Sequence, residues 1–437
     1  MLLLNISDIH FRHPICNSPM DPDRPYRTRL IQDVRDRTAT WGNVDAILVG
    51  GDIAFAGAAE EYEAAYQWLK ELAQACGCPL ERIFVIPGNH DVDRRVIQNN
   101  LSCRNALRAV ATANAADRER ELFQQFRHAD TGRDLLASIE SYNAFAARFN
   151  CQVYTPERLF WQQDLPLDDK TVLRIYGLTS TLLSWSASRD DRPLELYLSP
   201  LQTVLDPLDG YVNVVMCHHP PDWCMDNDEI EDAVRGRAPI HFFGHKHRQR
   251  ITRDPSFIRF SSGAVNPDRQ EASWEPGYNL VRLSASENGG GRFLDVEAQL
   301  LVWQTNPDAF RPKQSQTGDV FQHRLRIRGS VPLGQMVVSA AAISSKSETP
   351  GVVEVVTAVA QEIVEPTMSD DKTRNLVLRF WNLASSERRE IALQLRLIEP
   401  EDIRLPEAER YGRAFQKAGE LGLLDRVAEE IQMRETT

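Results

Sequence analysis

The sequence predicts an α/β protein with a helical insertion and a small all-α bundle at its C-terminus. Two observations point there. Five short apolar runs each end in polar residues capable of binding metal, and past residue 330 the pattern changes from strand-like to helical. The runs cover residues 2–6, 44–49, 83–86, 212–217 and 240–243. Short β-branched stretches bounded by Gly and Pro read as buried strands. Between the first three lie two stripes at helical spacing, Leu30, Ile31, Val34 and Trp41, then Tyr62, Ala65, Trp68, Leu69, Leu72 and Cys76. A β-α-β-α-β order implies a mainly parallel or mixed sheet covered by helices.

Residues 94–150 are helical in pattern and charge-rich, longer than a crossover needs, and read as an insertion beside the site. Its apolar positions include Leu122, Phe123, Phe126, Leu135, Leu136, Ile139 and Tyr142. Strand-like pieces return at 171–178, 257–261, 278–283 and 293–302 and imply a second sheet packed on the first, with 323–327 as a further edge strand. Residues 1–329 therefore read as one α/β body. Residues 330–365, which begin rich in Ser, Ala and Gly, read as a linker region in which 352–363 is an apolar run of either type. Residues 366–437 carry four amphipathic stripes, marked by Phe380, Ile391, Tyr411 and Val427, with N-caps at Ser369 and Ser385 and turns at Pro400 and Pro406.

The chain has 437 residues, 50 Lys and Arg against 62 Asp and Glu, and a net charge of -12. That length buries a sizeable core without staples. The acidic balance argues against gripping nucleic acid through a broad basic face and leaves a local basic groove open. Seven cysteines without a Cys-x-x-Cys pair indicate a reducing compartment. The first residues, MLLLNISDIHF, lack the basic region and small-residue cleavage site of a leader, and no apolar run reaches 18 residues, so the expectation is a cytoplasmic protein with no membrane contact.

The chemistry lies at the strand ends, where α/β sheets gather their binding loops. Two carboxylates (Asp8, Asp52), one amide (Asn89) and four imidazoles (His10, His218, His245, His247) stand there. Mixed oxygen and nitrogen donors suit divalent Mn, Fe, Co, Ni or Zn. Seven ligands exceed one tetrahedral site and fit two metals if a carboxylate bridges. Asp52, on its own Gly-Gly-Asp turn, is the natural bridge.

Asp8-x-His10, Gly51-Asp52, Gly88-Asn89-His90-Asp91, His218-His219-Pro220 and Gly244-His245-x-His247, in this order, resemble the full motif set of the calcineurin-like metallophosphoesterases over roughly residues 1–310. The resemblance implies a two-sheet α/β/β/α sandwich. It also implies one metal held by Asp8, His10, Asp52 and His247, and a second by Asp52, Asn89, His218 and His245, with Mn the first choice. His90 would act at the leaving or non-bridging oxygen, oriented by Asp91. Two cations about 3.5–4 Å apart lower the pKa of a bridging water and neutralise charge in an in-line displacement, so no protein nucleophile is needed. The C-terminal bundle is similar to the effector-associated, death-fold-like adaptor domains that bacterial conflict systems append to hydrolases, which implies a protein partner and a role in antiviral defence.

Other residues carry weaker signals. His219 follows a ligand position and is expected to shape the pocket. Arg94 and Arg95 either reach a substrate phosphate or begin a solvated helix. His13, His128 and His323 read as surface residues, His241 as a packed strand residue, and Cys217 and Cys224 as packing. Arg104, Arg108, Arg118, Arg120 and Arg127, interleaved with acids, read as a salt-bridged exposed helix. Three functional readings remain: a phosphodiesterase acting on nucleotide-type diesters, a nuclease cutting DNA or RNA, and an adaptor or sensor built on a phosphoesterase-like domain.

Overall fold

The computed structural model describes residues 1–153, 159–185, 191–267, 274–289, 291–315, 318–327, 376–377, 379–381, 383, 385–398 and 407–435. The apolar runs form strands: β1 (Leu2–Ile6), β2 (Ala46–Val49) and β3 (Ile83–Val85), with α1 (Arg24–Trp41) and α2 (Ala59–Cys76) between them. Five helices follow, α3 (Arg94–Asn99), α4 (Leu101–Thr112), α5 (Ala115–Arg127), α6 (Ala129–Leu136) and α7 (Glu140–Ala146). Next come β4 (Trp161–Pro166), β5 (Val172–Gly177), β6 (Tyr211–Cys217), α8 (Asn227–Arg237), β7 (Ile240–Phe243), β8 (Arg250–Arg253) and β9 (Ile258–Ser261). Strands β10 (Gly277–Asn288), β11 (Gly291–Gln304), β12 (Ala309–Pro312) and β13 (Phe321–Ile327) complete the body.

Two mixed sheets result. One runs β12-β11-β10-β1-β2-β3 with β13 also on β11, and the other β4-β5-β6-β7-β9-β8. β1, β2 and β3 are mutually parallel, as are β5, β6, β7 and β9. Side-chain alternation along β6 shows the layering. Val212, Val214 and Met216 join the core shared with β1–β3, whereas Val215 and Cys217 pack with Ile230 and Val234 of α8. On the opposite side Leu30 and Val34 of α1 and Tyr62, Ala65, Leu69 and Leu72 of α2 are buried in the same core as β1–β3. The layers are thus helix, sheet, sheet, helix.

The helical insertion packs through Leu107, Leu122, Phe123, Phe126 and Ile139, and the buried Tyr142 hydroxyl donates to the Val85 carbonyl at 3.1 Å. One expectation fails here. α5 is not a wholly exposed, salt-bridged helix, because Arg118 and Glu119 are buried. Arg118 donates to the Asp226 carboxylate at 3.1 Å, and Glu119 accepts from Ser199 Oγ at 2.6 Å and from the Tyr197 hydroxyl. Burial pushes Glu119 up to about 7, against those two hydrogen bonds, which lower it. An acid whose native pKa is raised loses stability as pH climbs from its unfolded value near 4.5 to about 7, because the unfolded chain ionises first. The loss is on the order of 3 kcal/mol. Urea unfolding between pH 4.5 and 8 should show wild-type stability falling by about 3 kcal/mol more than that of Glu119→Gln. Parallel pH profiles in both would refute it.

The C-terminal residues include α9 (Ser385–Gln394), α10 (Glu407–Glu420) and α11 (Leu424–Glu435). Their buried faces comprise Ile391, Tyr411, Ala414, Ala418, Val427 and Ile431, joined by Leu376, Phe380 and Trp381. Phe380 meets the Tyr411 ring edge-on at 5.1 Å. The linker 330–365, Ser369, Pro400 and Pro406 lie outside the described residues.

Candidate metal centre

The loops after β1, β2, β3, β6 and β7 meet at one place and are laced together by backbone hydrogen bonds. Asp8 N donates to Gly51 O at 3.0 Å, Ile9 N and His10 N to Asp52 O at 2.9 and 3.0 Å, and Gly244 N to His218 O at 3.0 Å. Asp8, His10, Asp52, His245 and His247 all adopt positive φ, between 49° and 66°. Such backbone costs a non-glycine residue roughly 1–3 kcal/mol and persists where the surroundings over-determine it, characteristically at functional sites. Gly51, at φ 94°, leaves no room for a side chain, since a β-carbon there would stand 2.7 Å from His218 Nδ1. At Gly88 it would fall 2.2 Å from Asp52 Oδ1.

All seven candidate ligands come together. Asp52 Oδ2 lies 3.4 Å from His10 Nε2 and 3.3 Å from His218 Nε2, between the two halves of the cluster. On one side His247 Nε2 is 3.1 Å from Asp8 Oδ1. On the other, Asn89 Oδ1 is 3.2 Å from His218 Nε2 and 3.0 Å from His245 Nδ1. Donor atoms bound at 2.0–2.2 Å to a common ion stand about 3 Å apart along the edges of its coordination polyhedron, so these gaps fit metal-sharing pairs. Asp8 Oδ2 is buried with no hydrogen-bond partner among the described residues, a cost that a cation would remove. The donor set therefore fits two divalent ions.

Outer contacts aim the imidazoles. His218 Nδ1–H donates to Gly50 O at 2.8 Å and His10 Nδ1–H to Asn266 O at 3.2 Å, which leaves both Nε2 atoms as the metal-facing lone pairs. Burial works against ionised carboxylates, yet His218 and His90 hold Asp52 well below the usual range, and His247 and His218 likewise lower Asp8. Burial also opposes a charged His218, but Asp52 raises it to about 9. Burial and the neighbouring His218 push His245 down to about 3.

Asp91 does not orient His90. Its carboxylate is occupied by Ile53 N, Ala54 N, Gly88 N and the Tyr62 hydroxyl, at 2.8–3.2 Å, and so braces the loops that carry Asp52 and Asn89. The His90 ring is instead held by Nδ1–H donation to Phe55 O at 2.9 Å and stacks on the Phe55 ring. His219 is not brought to the cleft wall. It is 1% exposed behind His218, with Nδ1 2.8 Å from Ser180 Oγ. Arg94 and Arg95 both line a cleft beside His90, and Arg95 is paired there with Asp93 at 2.9 Å. His241 is buried in β7, its Nε2–H donating to Ala238 O at 2.6 Å, and Cys217 and Cys224 are buried. His13 and His128 are exposed, while His323 is half-buried and donates to Asp254 O at 2.9 Å. Asn266 is a contributor that belongs to none of the motifs: besides accepting from His10, its Nδ2 donates to Ile9 O at 2.6 Å and its backbone N to Asp8 O at 3.1 Å.

Two mixed sheets flanked by helices, with Asp, Asn and His gathered at the carboxyl ends of their parallel strands, define a metallophosphoesterase-type α/β protein. Residues 1–249 match the calcineurin-like phosphoesterases, and the chain belongs to that family, whose members use divalent metals. Residues 372–433 match the GTPase-associated adaptor domain, in keeping with the adaptor expected at the C-terminus. No curated protein matches the chain. Similar solved structures include a single mutant of Vps29 from Entamoeba histolytica, 11% identical, covering 75% of this chain and 100% of that one at a TM-score of 0.29. A putative 5'-nucleotidase from Staphylococcus aureus is 12% identical and covers 75% of this chain and 54% of its own, with a TM-score of 0.32. A predicted phosphoesterase from Streptococcus pneumoniae is 12% identical, covering 74% and 97%, with a TM-score of 0.28. Likeness at that level adds nothing to the strand order already described. No described helix is long and apolar enough to cross a membrane.

Proposed function

We propose that the protein is a dinuclear-metal phosphodiesterase acting on nucleotide-type phosphodiesters, recruited to its place of action through its C-terminal domain, residues 366–437. The observation that carries this reading is Asp52 Oδ2, within 3.4 Å of an imidazole from each half of a seven-donor cluster. Asp8, His10, Asp52 and His247 would hold one ion, and Asp52, Asn89, His218 and His245 the other, with Mn the first to test. Bound cations would supply the positive charge that activates a water molecule and neutralises the phosphate. Hydrolysis forms one P–O bond to water and breaks the bond to the leaving oxygen, which ends as a hydroxyl. His90, with Nδ1–H committed to Phe55 O at 2.9 Å, presents Nε2 to donate a proton or hydrogen bond to that oxygen. The match to an adaptor domain supports a recruited effector, the arrangement expected of a bacterial defence system.

With Mn²⁺, bis-p-nitrophenyl phosphate should be hydrolysed with a higher kcat/KM than p-nitrophenyl phosphate. Absence of metal-dependent turnover of either would overturn the enzymatic reading, and a preference for the monoester would overturn the diester assignment. Deletion of residues 366–437 should leave diester turnover in place and abolish co-purification with any partner.

A further inference from the structure

The metal centre is not the end of a pocket. It sits between two clefts, one of about 960 Å³ and one of about 500 Å³, which share Asn89, His90 and His247. A monoester or a compact cyclic nucleotide needs space on one side of its phosphate. Two clefts meeting at the cluster accommodate a chain that continues in both directions from the bond to be cut.

Their charge follows the same layout. The larger cleft is lined by Lys246, Arg248 and Arg250, alternate residues that begin between the last two His ligands and run into β8. Asp222 and Lys246 neutralise each other, as do Glu231 and Arg259 at 2.8 Å, and Asp228 also lines this cleft, so its cationic character rests on Arg248 and Arg250. Arg248 and Arg250 are exposed and form no ion pair among the described residues. The smaller cleft is lined by Arg12, whose guanidinium lies 3.8 Å from the Phe55 ring centroid. Its Nε is buried without a hydrogen-bond partner among the described residues. Each cleft also carries a half-buried aromatic side chain, Phe55 beside Arg12 and Trp223 against His245. Cationic side chains alternating with aromatic platforms are the recurring means of holding a single nucleotide strand.

We infer that the substrate is a linear, single-stranded oligonucleotide. Its phosphates on one side of the scissile diester meet Arg248 and Arg250, and those on the other side meet Arg12. The inference rests on the phosphodiesterase reading and narrows it. A chain of net charge -12 can take a polyanion in this way because the net value says nothing of the cationic side chains placed along the groove.

The test compares a single-stranded pentanucleotide with the dinucleoside monophosphate, which has no flanking phosphate, and with a 3',5'-cyclic nucleotide. The wild type should favour the pentanucleotide over the dinucleoside by at least about tenfold in kcat/KM, the worth of one or two charge-assisted contacts. Arg12→Ala and the double variant Arg248→Ala/Arg250→Ala should each bring that ratio down severalfold. In chelator, where nothing is cut, anisotropy of a labelled pentanucleotide should show salt-dependent binding whose log–log slope falls by about 0.7 per phosphate contact removed. A wild-type ratio near one, a preference for the cyclic nucleotide, or a ratio and slope untouched by the substitutions would overturn the inference while bis-p-nitrophenyl phosphate hydrolysis stands. Arginine-dependent binding without turnover of that simple diester would instead remove the enzymatic reading and keep the groove.

Discussion

Asp52→Asn should lower diester turnover at least a thousandfold and reduce bound metal below two ions per chain. Asp52 Oδ2 lies between the two halves of the cluster, at 3.4 Å from His10 and 3.3 Å from His218. Its Oδ1 accepts from His90 N at 2.7 Å, and its backbone oxygen accepts from Ile9 and His10. The amide keeps the shape and the backbone contacts but removes the negative charge through which Asp52 would hold both cations. Metal analysis and kcat on bis-p-nitrophenyl phosphate check the two effects together. A variant with two ions and wild-type turnover would show that Asp52 does not bridge.

His90→Asn should lower kcat by about 10²–10⁴-fold, the usual worth of a positioned general acid or base, while two metal ions stay bound. His90 faces the cluster edge-on to His10, with ring centroids 4.9 Å apart, and borders both clefts. That placement suits contact with the phosphate or its leaving oxygen. Loss of a metal ion in this variant would make His90 a ligand, and unchanged kcat would remove it from the chemistry.

Much of this was legible in the sequence because the physics is local. A strand buried on both faces needs a continuous apolar run, and the polar residues ending such runs are placed by the strand that precedes them. That is why Asp8, Asp52, Asn89, His218, His245 and His247 could be named from five runs, and why the stripe from Tyr62 to Leu72 marked a helix face. Elements with little apolar signal escaped notice. In α8 only Ile230 and Val234 are buried, β8 is a short edge strand with no buried residue, and β4 buries only Trp161 and Leu165. Contacts that depend on tertiary approach were equally invisible. The family resemblance implied Asp91 as the partner of His90, but its carboxylate turns toward the backbone of 53–54 and the partner is the Phe55 carbonyl. Asn266 lies 256 residues from the His10 it aims. The basic row of Lys246, Arg248 and Arg250 was present in the sequence, hidden by a net acidic charge that says nothing of where charges sit.

The proposed function requires seven side chains to assemble a two-metal centre that hydrolyses a phosphodiester. Titration of Mn²⁺ into chelator-treated protein, with bis-p-nitrophenyl phosphate hydrolysis read at each step, tests it directly. Turnover should be absent without metal and rise to a plateau at two equivalents per chain. Hydrolysis that persists in chelator, or metal saturation at two equivalents with no hydrolysis, would contradict it.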